Sequence, residues 1–167
     1  MMRERLRACR GVPDVLAILS EVRSDGSLLS FAEYLFDDDG RVRRHAAWVL
    51  TKCSDDELLR LLPLQQRLTD LALQTDDSSL CRLTLHLLER MPMEKESMRT
   101  DLLDFCLSHM QLPNEFPGVQ TLCMKIAHRA CSAYPELTAE FRRILENWNE
   151  AYYTPAILGL RRKLLRP

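Results

Sequence analysis

Apolar residues recur along this chain at a fixed set of offsets, and the set itself returns at a longer interval. Counted from Val42, the offsets 0, +4, +7 and +8 are filled by Val42, Ala46, Val49 and Leu50. Leu80, Leu87 and Leu88 repeat the set with Thr84 at +4, and Val119, Cys123, Ile126 and Ala127 repeat it again. A weaker fourth copy from Ala156 keeps Leu160 and Leu164 but places Lys163 at +7. These offsets fall on one face of a helix with 3.6 residues per turn. Successive copies start 38, 39 and 37 residues apart. That period is too long for one helix and suits a helical pair that buries its face against the next copy.

Turn and cap signals divide the chain between those copies. Ser24-Asp25-Gly26-Ser27 and Asp37-Asp38-Asp39-Gly40 break it early, and Ser54-x-x-Glu57 has the spacing of a capping box. Pro63, Asp76-Asp77-Ser78, Pro92, the loop 112–118, Pro135 and Thr154-Pro155 supply the later boundaries. The helices expected cover 13–22, 28–36, 41–52, a short piece ending at Leu62, 64–74, 79–90, 95–109, 119–131, 135–148 and 156–165. In the second, Phe31, Leu35 and Phe36 are the expected anchors. The core is expected to contain the stripe of the first three copies together with Leu83 and Leu122. In the fourth, Leu160 and Leu164 should turn inward while Lys163 keeps a cationic face in water, as a terminal cap requires.

The run 39–50, Asp-Gly-Arg-Val-Arg-Arg-His-Ala-Ala-Trp-Val-Leu, resembles the first helix of a HEAT repeat. In that family an acidic turn leads into Val-Arg, then paired small residues, then Leu; Val42, Arg43, Ala46, Ala47 and Leu50 match. The later copies carry Leu80-Cys81 and Val119-Gln120 in place of Val-Arg and match by period and pattern only, across roughly 12–165. The resemblance to this part of the ARM/HEAT superfamily implies an all-α, right-handed α-α superhelix (solenoid). About four HEAT-like helical pairs are expected, the last incomplete, as a single domain over 1–167. The family includes transport scaffolds, phosphatase subunits and DNA glycosylases, so fold alone constrains function weakly.

Composition narrows the choice. Apolar residues at 46% and charged residues at 28% describe an ordinary soluble chain, and 5 glycines in 167 residues agree with all-α. The net charge of −1 is unevenly spread: residues 1–10 carry +3 and 159–167 carry +4, leaving −8 between. An acidic middle argues against nucleic acid as partner. No stretch has the length of a membrane span or the apolar run of a signal peptide. Six cysteines stand singly among apolar neighbours, without metal-knuckle or redox spacing, as core thiols of a cytoplasmic protein would.

Chemistry-bearing motifs are few. His45, His86 and His128 sit at different offsets of their copies, so they do not line one groove; His45 reads as a packed, hydrogen-bonded residue. The acidic run 37–39 lacks the closing Glu of a calcium loop, since the twelfth position is Trp48. No metal, cofactor or catalytic group is expected. The helix after each repeat start normally lines the inner curve of a solenoid, and its polar positions offer Arg67, Asp70, Arg99, Asp104, Arg142, Arg143 and Glu146 as candidate binding residues. Arginine is favoured at such surfaces, and the chain has only four lysines, Lys52, Lys95, Lys125 and Lys163. The function expected is a non-catalytic scaffold, a monomer or weak homodimer, binding a protein or peptide on its concave face. The alternative is a nucleic-acid-directed, DNA glycosylase-like enzyme, in which Trp48, Trp148, Tyr152 and Tyr153 would stack a base.

Overall fold

A computed structural model describes residues 1–167 as eleven α-helices linked by turns and short 3-10 segments, with no strand. In chain order they are α1 (Met2–Ala8), α2 (Val12–Asp25), α3 (Leu28–Ala32), α4 (Gly40–Thr51), α5 (Asp55–Leu59) and α6 (Gln65–Gln74). Then follow α7 (Ser78–Arg90), α8 (Thr100–His109), α9 (Pro117–Cys131), α10 (Pro135–Glu146) and α11 (Pro155–Leu164). The four repeat-bearing helices, α4, α7, α9 and α11, begin 38 or 39 residues apart. Contacts divide the chain into two compact units, Met1–Pro92 and Met93–Pro167.

In the first unit α4 is the hub. Helices α1, α2 and α3, the 3-10 turn Glu33–Phe36 and α7 all pack on it, and α6 lies along α7. Val42, Ala46, Val49, Leu50, Leu80, Leu87 and Leu88 are fully buried, with Leu83 nearly so. Thr84 is fully buried too, and its hydroxyl donates to the Leu80 carbonyl at 2.7 Å, so the polar stand-in is satisfied within its own helix. Helix starts follow local chemistry. The Asp39 carboxylate accepts from the Arg41 N–H, Ser54 and Glu57 form the expected capping box, and Asp77 accepts from Ser79 and Leu80. Gly26, in the left-handed region at φ 62°, ends α2.

The expected helix 28–36 tightens into the 3-10 turn from Glu33 onward. Phe31 and Leu35 are buried there, whereas Phe36 is half-buried. Helix α1 has no counterpart among the expected elements, because Leu6 is its one deeply buried apolar residue and no stripe surrounds it. It is held instead by that side chain, by the His45 Nδ1–H donating to the Leu6 carbonyl at 2.6 Å, and by its arginines. Arg3 forks onto Asp37 at 2.9 and 3.0 Å and also reaches Asp38; Arg7 holds Asp39 at 2.9 Å and Arg5 holds Glu21.

These pairs belong to a wider series. Arg3–Asp37, Arg23–Glu57, Arg44–Asp77, Arg67–Glu33 and Arg90–Asp55 join residues 33 to 35 positions apart, close to one repeat. Each ties one helical pair to a neighbour. Arg90 adds bonds to the carbonyls of Thr51 and Cys53 at 2.8 and 2.6 Å, so the end of α7 satisfies the open end of α4.

In the second unit α9 is the hub, contacted by α8, α10 and α11. Val119, Leu122, Ile126 and Ala127 are buried as expected. Gln120 is also buried, and its amide donates to the Leu112 carbonyl at 2.7 Å, pinning the preceding loop. The expected helix 95–109 resolves into a 3-10 turn, Lys95–Ser97, followed after extended Met98 and Arg99 by α8.

The fourth copy is displaced by one residue from the expected register. Val42, Leu80 and Val119 are each third in their helix, and the third residue of α11 is Ile157, fully buried, whereas Ala156 is exposed. The +4 position, small or polar-but-satisfied in the other copies, is therefore Arg161. Leu160 and Leu164 are only half-buried, and Lys163 lies outside the stripe in water. Arg161 is accommodated because its Nε donates to the Leu145 carbonyl at 2.7 Å and an Nη to Glu150 at 2.9 Å.

Candidate functional site

The polar positions of the second helices are placed as follows. Arg67 and Asp70 of α6 line a recess of about 300 Å³ in the first unit, together with Phe36, Arg43, Leu71 and Gln74. Arg67 is held firmly: it forks onto Glu33 at 2.8 and 3.0 Å and its guanidinium carbon lies 3.9 Å over the centre of the Phe36 ring. The same fork raises the Arg67 pKa and lowers that of Glu33.

In the second unit Arg99 folds back onto Asp101 at 3.0 and 2.7 Å, which lowers the carboxyl pKa, and Asp104 stands exposed on α8. Arg143 forks onto Glu140 at 3.0 and 2.5 Å, with Glu146 exposed on the same helix. Arg142 donates to the Leu165 carbonyl at 2.9 Å, at the end of α11. The candidate arginines thus carry contacts inside the fold as well as surface exposure.

Arg43 emerges from the structure rather than from the repeat pattern. It is half-buried, its Nε is shut off from solvent, and that Nε has no acceptor. Its neighbour Arg44 takes the available carboxylate, Asp77, at 2.6 Å. The sequence marks Arg43 only as a match to the HEAT pattern; which of two adjacent arginines reaches Asp77 depends on the direction each leaves α4. A larger recess, of about 580 Å³, opens beside α2 and α3. Of its four carboxylates, Glu21, Asp37 and Glu33 already hold Arg5, Arg3 and Arg67, and Asp25 is the fourth.

The remaining chemical groups are dispersed. His109 Nδ1 lies 2.6 Å from Glu115 with the ring stacked on Phe105, and His128 tilts against Phe141. No three His, Cys, Asp or Glu side chains converge as metal ligands. All six cysteines are buried thiols; burial pushes Cys53 up to about 11, and the neighbouring Cys106 thiol together with burial pushes Cys123 up. Trp148 is buried and stacked on Tyr153 at 4.1 Å, Trp48 is half-buried beside His45, and Tyr152 is exposed.

No helix is long and apolar enough to cross a membrane. No curated protein and no solved structure shows significant similarity to the chain. The family model of the HEAT repeat domain matches residues 2–167. Four repeat-bearing helices at a period of 38 or 39 residues, three of them with the full buried stripe, agree with that match, and the chain belongs to the HEAT repeat domain family.

Proposed function

We propose that this protein is a non-catalytic, cytoplasmic scaffold that binds a protein or peptide along the helices following each repeat start. The observation that carries this reading is the family match over residues 2–167, because HEAT repeats serve in general as protein-interaction scaffolds. The faces of α4, α7 and α9 are consumed by the core, so recognition falls to other surfaces. Arg67 and Asp70 would contribute from one unit, and Arg99, Asp104, Arg142, Arg143 and Glu146 from the other. Arginines already fixed by neighbouring groups lose little side-chain freedom when a partner arrives, which favours affinity. The chain would act as a monomer or a weak homodimer, a point that sedimentation over a concentration series decides.

The nucleic-acid-directed alternative requires an aromatic face open to a base. The Trp148 face is taken by Tyr153, and the chain between its basic ends is acidic.

Selection of a random-peptide display library on the purified protein tests the reading. Enriched peptides should bind saturably, and Arg67→Ala/Arg99→Ala/Arg142→Ala should weaken them roughly tenfold or more, with the far-UV dichroism retained. Failure to enrich any peptide, together with saturable binding of duplex DNA, would replace the scaffold by the alternative.

A further inference from the structure

Every arginine of the first unit other than Arg43 either holds a carboxylate or stands in water, as Arg10, Arg41, Arg60 and Arg82 do. Arg43 alone is half-buried with no carboxylate on it: its Nε is enclosed without an acceptor, and the side chain lines the recess beside Arg67. No acid of the unit balances its charge, and an anion entering the recess would meet the outer, Nη edge of the guanidinium. The other walls of the recess limit what the anion can be. Arg67 is committed to Glu33 and lies flat on Phe36, so it acts as a fixed wall. Phe36 and Leu71 offer apolar surface to a short methylene stem, and the exposed Gln74 amide is a further donor.

We propose that the recess between α4 and α6 seats a single carboxylate side chain of the glutamate class, presented by the bound peptide, with Arg43 as its counter-ion. The planar guanidinium fits a carboxylate through paired hydrogen bonds. A phosphate dianion would bring two charges to one uncommitted cation, in a lining that already contains the Asp70 carboxylate. The carboxylate is therefore the better match. This inference rests on the peptide-binding reading and specifies one contact within it.

The Arg43 guanidinium resonances report on the seat, and their loss in Arg43→Lys assigns them. The probes are N-acetyl-glutamate-amide, the neutral N-acetyl-glutamine-amide and inorganic phosphate. The glutamate probe should shift the Arg43 signal saturably, the glutamine probe should leave it unmoved, and phosphate should bind more weakly. In peptides selected by display, replacing the seated Glu by Gln should weaken binding roughly tenfold or more, and Arg43→Gln should abolish that difference. A flat glutamate titration up to about 100 mM, or tighter binding of phosphate, overturns the assignment. If selected peptides still bind, only the carboxylate seat falls and the scaffold survives. If the seat responds while no peptide is ever enriched, the scaffold reading fails and the anion site stands.

Discussion

Leu87 illustrates what a single stripe position contributes. It is fully buried on α7, the helix that packs against both α4 and α6. Leu87→Ala should cost roughly 2–5 kcal/mol in chemical denaturation, part of it lost transfer energy and part the cavity left behind. The carboxylates act differently. Arg23 and the Ser54 N–H hold Glu57 at a pKa of about 2, against an ordinary 4.5, and Arg3 together with the Asp39 N–H holds Asp37 at about 2. A depressed folded-state pKa contributes stability that is complete above the ordinary range and lost as the pH falls through the folded value. Denaturation midpoints should therefore change little from neutrality down to pH 5 on account of these groups, then decline between about 4.5 and 2. Glu57→Gln should flatten part of that decline while lowering the midpoint at neutral pH.

At the scale of the element, legibility tracks periodic burial. Helices α4, α7 and α9 were readable because several large apolar residues recur on one face and because Asp39, Asp77 and Pro117 mark their starts. Helix α1 was not, since it is anchored by Leu6 and by arginines whose partners lie far along the chain, 16 residues on for Arg5 and 34 for Arg3. The fourth copy misled for a related reason. A frame starting at Ala156 collects two leucines, whereas the folded frame starting at Ile157 requires an arginine at an inward position, which no hydrophobic count would select. Arg67 and Asp70 were accessible from their polar positions on a second helix; the isolation of Arg43 depends on where a carboxylate is absent in space. The two frames for α11 make opposite forecasts. Arg161→Ala should destabilise by about 2 kcal/mol, because it releases the Leu145 carbonyl and Glu150, whereas Lys163→Ala should stay within about 0.5 kcal/mol of wild type in thermal or chemical unfolding. Equal effects would restore the frame starting at Ala156.

Over the whole molecule, the uneven charge of the sequence acquires a local use at its basic start. The +3 of residues 1–10 is largely spent inside the first unit, where Arg3 and Arg7 meet the acidic turn 37–39 and Arg5 meets Glu21. Individually, exposed pairs of this kind are worth little. Repeated at nearly one repeat length, and often as two-bond forks, they favour one alignment of neighbouring helical pairs over slipped ones. The second unit uses its arginines over shorter spans, as in Arg99–Asp101 and Arg143–Glu140, and places others on carbonyls at helix ends.

The stacking of Trp148 on Tyr153 also gives the protein a built-in optical readout. The chain has two tryptophans, one in each compact unit: Trp48, partly open to solvent, and Trp148, enclosed against a tyrosine ring. Trp48→Phe leaves an emission that senses only the second unit, and Trp148→Phe one that senses only the first. If the chain unfolds as one domain, the two fluorescence curves and the loss of helicity should share a midpoint. Separate midpoints would mean that each half melts on its own terms. Either half's loosening by a ligand could then be followed by colour alone, without attaching a label to a surface that a partner needs.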